Sequence, residues 1–372
     1  METPGPQRTP LYDFHARNGA KFVDFAGWEL PVHYGTGILG EHLATRQAAG
    51  LFDVSHMGEF LVSGASAEVH VDHLLTNNLL ATTPGQALYS PACAEDGGVI
   101  DDLILYKLSA DCIFICCNAS NTQKVDDWLN TKLAASTCQV ENQSYEYAQI
   151  AIQGPMATTI IKKVLPGDFR LPGRFRFSEL EILGNPCILS RTGYTGEDGV
   201  EIYLRPEFAY ELASALLNAG KDNGLIPAGL GARDSLRLEA GYPLYGHEIS
   251  GSRTPVEGGI GWAVKLDKPN DFLGKETLLN QKNSPGSHRR TIHFITQDKR
   301  IVREGATLVS DGKPAGEVLS GSFSPVIQRG IGSASLNPSI PQDAPLAALV
   351  RNREIRIFPS KPPLHKASIP NP

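Results

Sequence analysis

Hydrophobic positions change period several times along the chain, and each change marks an element. From Gly37 to Gly50 they fall as Ile38, Leu39, Leu43 and Ala44, the spacing of one helix face, with Gly50 as the C′ residue that ends it. Residues 65–79 and 122–133 read as further helices. Short runs rich in β-branched and aromatic residues lie around them: 87–93, 99–107 and 112–118. They read as strands, the first two joined across Glu95-Asp96-Gly97-Gly98. A second α+β pattern starts at Tyr147. A strand leads to Gln153, and Pro155 suits the first turn of a helix running to about Val164. Strands follow near 179–183 and 187–191, another restarts at Glu201, and 207–219 and 227–239 read as helices. Residues 260–266 read as a strand, and residues 11–34 show little regular period. Beyond a polar linker, 281–287, the pattern is all short strands and turns: 291–296, 306–310, the Asp311-Gly312 hairpin turn, 316–320, 331–335 and 346–357. That is the pattern of a small β-barrel or sandwich, and from Pro359 the chain is Pro-rich and irregular.

A chain of 372 residues exceeds one ordinary core, so two or three domains are expected. The net charge of −6 argues against nucleic acid as the main partner. No apolar run reaches the length of a membrane span, and Met1–Pro6 has no signal-peptide apolar core; a cytoplasmic protein is expected. None of the six cysteines forms C-x-x-C, and neighbours such as Cys116 and Cys117 in a strand face opposite ways, so reduced thiols are expected. The ten histidines show no zinc spacing.

The candidate chemistry gathers around Gly97 to Tyr106. Two glycines supply a tight turn, and Asp101 and Asp102 interrupt the strand that follows. Adjacent strand residues point to opposite faces, so only one of the two can enter a given pocket. Asp102 shares its face with Ile104 and Tyr106, a largely apolar setting in which a carboxylate must find a partner, shift its pKa or do chemistry. The plainer alternative is a solvated pair at the turn. His56 is a possible base, though a lone histidine in such a run is more often hydrogen-bonded structure. In Arg191 to Glu201 glycines recur every third residue, which suits a loop bringing backbone close to a ligand. The G-x-G of Gly229 and Gly231 invites a dinucleotide reading, but Asp234 stands where the third glycine belongs and would repel pyrophosphate. Arg233 and Arg237 share one helix face, with salt bridges to Asp234 or Glu239 as the structural alternative.

Five segments, in order, resemble the T-protein family of the glycine cleavage system: 20–28, 52–59, 97–103, 191–199 and 228–239. The resemblance runs from about Thr9 to residue 358. It implies an α+β fold arranged as a three-domain cloverleaf with folate in a central channel. Two α+β folate-binding subdomains, 1–145 and 146–280, would interleave, and 288–358 would form a C-terminal β-barrel. It also implies aminomethyl transfer from a lipoylated H-protein to tetrahydrofolate, giving 5,10-methylenetetrahydrofolate, ammonia and dihydrolipoyl H-protein. Asp102 would be the essential carboxylate, and Met57, Tyr89, Asn118, Tyr194, Glu201 and Arg233 would contact folate. The family's C-terminal aromatic and arginine pattern is replaced here by Pro362-Pro363-Leu364-His365. The chemistry calls for no metal and no flavin, and the protein is expected to act as a monomer. Flavin-fused demethylases of this fold carry a glycine-rich dinucleotide segment missing here. Folate proteins of iron–sulfur maturation or tRNA modification carry a cysteine-containing glycine motif where this chain has Arg-Thr-Gly-Tyr-Thr-Gly-Glu-Asp-Gly. A basic cluster, Lys282, Arg289, Arg290, Lys299, Arg300 and Arg303 against Asp298, is expected to steer an acidic H-protein.

Overall fold

The structure is a computed structural model and describes residues 5–351 and 353–367; of the segment Met1–Pro6, residues 1–4 fall outside it. By packing, the chain divides into two compact units, 1–70 with 80–88 and 103–233, and 71–79 with 89–102 and 234–372.

In the first unit a six-stranded sheet runs in the order Phe177–Ile182, Asn185–Ser190, Gly199–Leu204, Ala148–Gln153, Ala49–Asp53 and Leu225–Pro227. Every pair is antiparallel except the last. The central strands Ala148–Gln153 and Gly199–Leu204 are buried at every position, which explains their near-continuous apolar runs. Ile150, Ile152, Leu189 and Ile202 pack with Ile160, Leu212 and Leu216 from the helices Ala157–Ile161 and Ala209–Gly220. A five-stranded sheet runs Ala87–Cys93, Val99–Ser109, Cys112–Cys117, Gly58–Ser63, Gln139–Asn142; its first two strands pass from one unit into the other. The region without period, 11–34, forms a short helix and the hairpin Lys21–Phe25 with Trp28–His33. The first of these strands is mostly exposed, so no buried face wrote a pattern into it.

In the second unit six strands close into a barrel: Arg290–Thr296, Arg329–Leu336, Lys313–Ser324, Thr307–Ser310, Leu346–Val350 and Arg353–Pro359. Phe294, Leu308, Val318, Ala334, Ile355 and Ile357 fill it, and closure leaves no open edge. Asp311 and Gly312 both have positive φ, 48° and 74°, as the tight hairpin turn read from the sequence requires.

Several expectations are corrected. The helix Gly37–Gln47 stops short of Gly50, which sits inside a strand. Its buried face is polar: Glu41, His42 and Thr45 are buried while Leu39 is 47% exposed. Glu41 earns that place by accepting the backbone N–H groups of Tyr34 and Gly229, the latter at 2.9 Å. The helix expected over 65–79 spans only Ala67–Asp72, where the Lys268 ammonium binds the carbonyls of Asp72, Leu75 and Asn77. Residues 260–266 are not a strand. Ile260 and Val264 are buried around a 60% exposed Trp262, which mimics period two, but Gly261–Ala263 is a 3₁₀ turn bonded to Thr76. The start of the 281–287 linker belongs to the helix Lys275–Asn283, and 346–357 is two strands rather than one.

Candidate functional site

Along Val99–Ser109, burial alternates. Asp101 is fully buried, and Asp102 is half-buried on the other face. The two carboxylates therefore do point to opposite faces, but the solvated-turn alternative is wrong for Asp101. The setting of Asp102 is also more polar than its strand neighbours suggest. The Tyr89 hydroxyl donates to its Oδ2 at 3.1 Å. The Tyr89 ring stacks on Trp262, centroids 5.5 Å apart with 24° between planes. Asn77 donates to the Tyr89 carbonyl at 2.9 Å and fixes that stretch of backbone. Tyr89, Asp102 and Trp262 all lie in the second unit.

Met57, Asn118, Tyr194, Glu201 and Arg233 lie in the first. Glu201 is the best defined. It sits opposite Ala151 on one side and Ser190 on the other, with its carboxyl buried. Thr192 donates to Oε2 at 2.5 Å, and Gln149 Nε2 reaches Oε1 at 3.4 Å. Burial pushes the carboxyl above the usual carboxylate range, opposed by the Thr192 hydroxyl and the positive charge of Arg233. The Arg233 guanidinium lies over the Tyr194 ring, 4.6 Å from its centroid, so two predicted contacts form one cation–π pair. Met57 packs against the cluster of Tyr106, Phe114, Cys116 and Tyr203. Asn118 follows the strand Cys112–Cys117 and precedes the 3₁₀ turn Ala119–Asn121, its carbonyl accepting the Asn121 N–H at 2.9 Å.

His56 is buried, and its Nδ1 finds no hydrogen-bond partner among the described residues, unlike the hydrogen-bonded histidine expected as the alternative to a base. Burial and the nearby Arg233 push the imidazole down to about 4, against the pull of Asp53, so it is neutral at physiological pH. The glycine spacing of 191–199 also has a structural cause. A Cβ on Gly193 would lie 1.9 Å from Gln153 Oε1, one on Gly199 would lie 2.3 Å from the Ile152 carbonyl, and Gly196 has φ +79°. The loop is glycine-rich because it lies flat on the strand Ala148–Gln153 and turns back. Arg191 closes it by gripping Asp198 through two contacts, 2.5 and 2.7 Å.

Four contributing residues went unread in the sequence: Thr192, Gln149 and Tyr203 around Glu201, and Trp262 beside Tyr89. Gln149 carried one signal, a lone amide in the apolar run 148–152. Trp262 stands in a run whose alternation reads as a strand, which hides it. Among the described residues, no group of three or more His, Cys, Asp or Glu side chains is arranged to hold a metal ion. All six cysteines are free, with Cys116 and Cys117 turned to different neighbours, Gln149 and Thr122.

The family model described as the GCVT N-terminal domain matches residues 11–268, and that of the glycine cleavage T-protein C-terminal barrel domain matches 289–366. The chain belongs to the glycine cleavage T-protein family. Among its relatives, a protein of Lysinibacillus sphaericus named aminomethyltransferase is 43% identical over 364 residues, 97% of this chain and 98% of its own length. One of the same name from Bacillus subtilis is 41% identical over 362 residues, 97% and 99% of the two chains. The crystal structure of glycine cleavage system aminomethyltransferase T from Bartonella henselae matches with a TM-score of 0.87 at 33% identity, covering 96% of this chain and 98% of that one. Membership thus extends through both the α+β part and the barrel, and no described helix is long and apolar enough to cross a membrane.

Proposed function

We infer that the chain is a tetrahydrofolate-dependent aminomethyltransferase of the glycine cleavage system. It takes the one-carbon unit from aminomethyl-dihydrolipoyl H-protein to tetrahydrofolate and releases ammonia, 5,10-methylenetetrahydrofolate and dihydrolipoyl H-protein. The observation that carries this reading is the buried Glu201 carboxyl with its Thr192 and Gln149 donors, in a chain related end to end to aminomethyltransferases.

A pterin presents a 2-amino group and a ring N–H side by side, and an ionised Glu201 can accept both. Tyr194, under the Arg233 guanidinium, and Met57 offer flat and soft apolar contact to a ring, and Tyr89 offers a second aromatic face. Asn118 supplies a half-buried amide that can donate or accept. In the reaction, a folate nitrogen attacks the aminomethyl carbon as ammonia leaves, and the second folate nitrogen then closes the ring as the C–S bond breaks and the dihydrolipoyl thiol departs; positive charge develops on nitrogen on the way. Asp102, oriented by the Tyr89 hydroxyl, stabilises that charge and handles the protons exchanged as ammonia departs and the ring closes. None of these steps calls on a metal or a flavin.

The protein acts as a cytoplasmic monomer, a compartment that its free thiols favour. The proposed divisions are 1–145 and 146–280, interleaved through their shared six-stranded sheet, and 288–358; limited proteolysis should cleave first just past the helix Lys275–Asn283, within 284–288. Ammonia release from aminomethylated H-protein, dependent on added tetrahydrofolate, tests the activity. A purified chain that binds folate yet releases no ammonia from that donor would overturn it.

A further inference from the structure

The hydrogen-bond network behind Glu201 has a direction. Thr192 Oγ1 lies 2.5 Å from Glu201 Oε2, 2.9 Å from Ser190 Oγ and 3.4 Å from Tyr106 Oη. A threonine hydroxyl has one proton and two lone pairs. With Glu201 ionised, that proton goes to the carboxylate, a stronger acceptor than a neutral hydroxyl, and Ser190 and Tyr106 donate to Thr192 in turn. At the other oxygen, the Gln149 amide is oriented from both ends. Its Nε2 donates to Tyr203 Oη at 2.9 Å and toward Glu201 Oε1 at 3.4 Å, while its Oε1 faces Cys116 Sγ at 3.8 Å. All these side chains are buried, so water does not substitute freely for a lost donor. Protonating Glu201 would reverse the arrangement, turning the Thr192 proton back toward Ser190.

We propose that Thr192 and Gln149 are positioning residues that hold Glu201 ionised and in register for a ligand edge with two adjacent N–H donors, Thr192 contributing more than Gln149. This rests on Glu201 being the acceptor of the pterin edge. The groups facing Glu201 are Arg233 from the helix Leu230–Ala240, Tyr106 and Cys116 from the five-stranded sheet, and Tyr203 from its own strand. Burial holds the two phenols and the thiol neutral, so Arg233 supplies the one charge of this set. Its pull is retained when Thr192 or Gln149 is changed, which isolates the hydroxyl and the amide.

The test is tetrahydrofolate affinity against pH, together with the thermal midpoint, for wild type, Thr192→Val, Thr192→Ser, Gln149→Leu and Glu201→Gln. The ligand's own titration is common to all five and cancels in the comparison. Thr192→Val should weaken binding about tenfold or more near neutral pH and move the midpoint of the pH dependence up by about one unit, because an acceptor without its donor is harder to ionise. Thr192→Ser should restore both, and Gln149→Leu should shift the profile the same way by less. A Thr192→Val protein that loses thermal stability but keeps the wild-type pH profile makes the residue merely structural and overturns the proposal. Should Thr192→Val not fold, Gln149→Leu decides, and an unshifted profile there overturns it equally. Wild-type affinity in Glu201→Gln removes the underlying reading instead, and the positioning role falls with it.

Discussion

Glu201 and Asp102, the two carboxylates proposed to serve recognition and chemistry, are built in opposite ways. Glu201 is sealed between central strands, with a hydroxyl on one oxygen, an amide near the other and its pKa raised by burial. Asp102 is half-buried at the start of a strand, with a phenol from the neighbouring strand donating to it. The difference matches two jobs. A recognition group gains from being dehydrated and rigid, since a ligand lacking the right donors then leaves it unpaired. A group that exchanges protons with a reacting centre needs access to that centre and to the departing product.

The largest expected effect separates the two jobs. Asp102→Asn keeps size and most hydrogen bonding but removes charge and basicity. We expect kcat to fall at least about 10²-fold while tetrahydrofolate affinity stays within about tenfold. Asp101→Asn is the neighbouring control: being fully buried, Asp101 should register in thermal stability and far less in kcat. Stopped-flow ammonia release and calorimetric unfolding check the pair, and a dead Asp101→Asn beside an active Asp102→Asn would reverse the face assignment.

Glu201→Gln should show the mirror image. It places an N–H donor where the pterin edge also offers donors, so affinity should drop by about 1.5–3 kcal/mol. A fluorescence titration of the folded variant that gives wild-type affinity would return Glu201 to a structural role. The pH dependence sharpens the same point. Only ionised Glu201 accepts two donors, and burial raises its pKa above the ordinary value. Affinity should therefore be full above that raised pKa and decline by up to about tenfold per pH unit below it. Glu201→Gln should lose this component, and wild-type affinity that instead improves on acidification would contradict the assignment. The smallest effect belongs to neither carboxylate. Arg289 is about half exposed and 4.0 Å from Glu317, whereas Arg290 is tied to the Ile340 carbonyl at 2.7 Å and Arg300 to Asp298. Only part of the basic cluster is therefore available to steer a partner. Arg289→Glu should raise the KM for H-protein a few-fold at low salt, on the order of 1 kcal/mol or less, with kcat unchanged. An unmoved KM at low salt disposes of that steering role.

The barrel and the two α+β patterns were legible because buried faces wrote period into them, as in Val99–Ser109 or Thr122–Leu133. Where a polar face is buried, the sequence misled. The helix Gly37–Gln47 hides Glu41 behind backbone donors from Tyr34 and Gly229, contacts no local pattern announces. Trp262 sat in a run whose alternation imitates a strand, while hydrogen bonds to Thr76 wind it into a single turn. Within the candidate site, Asp102 stood out as a charge in an apolar run, whereas Glu201 was marked only by the family resemblance. Thr192 and Gln149 did not stand out, because their significance comes from what they face across the sheet.

The division of labour between recognition and chemistry is tested most directly by single-turnover ammonia release at saturating tetrahydrofolate, with Asp102→Asn and Glu201→Gln measured side by side against wild type. Saturation removes a binding defect and leaves a chemical one. Glu201→Gln should then approach the wild-type rate, and Asp102→Asn should remain at least about 10²-fold slow. Recovery of Asp102→Asn under saturation, or failure of Glu201→Gln to recover, would contradict that division.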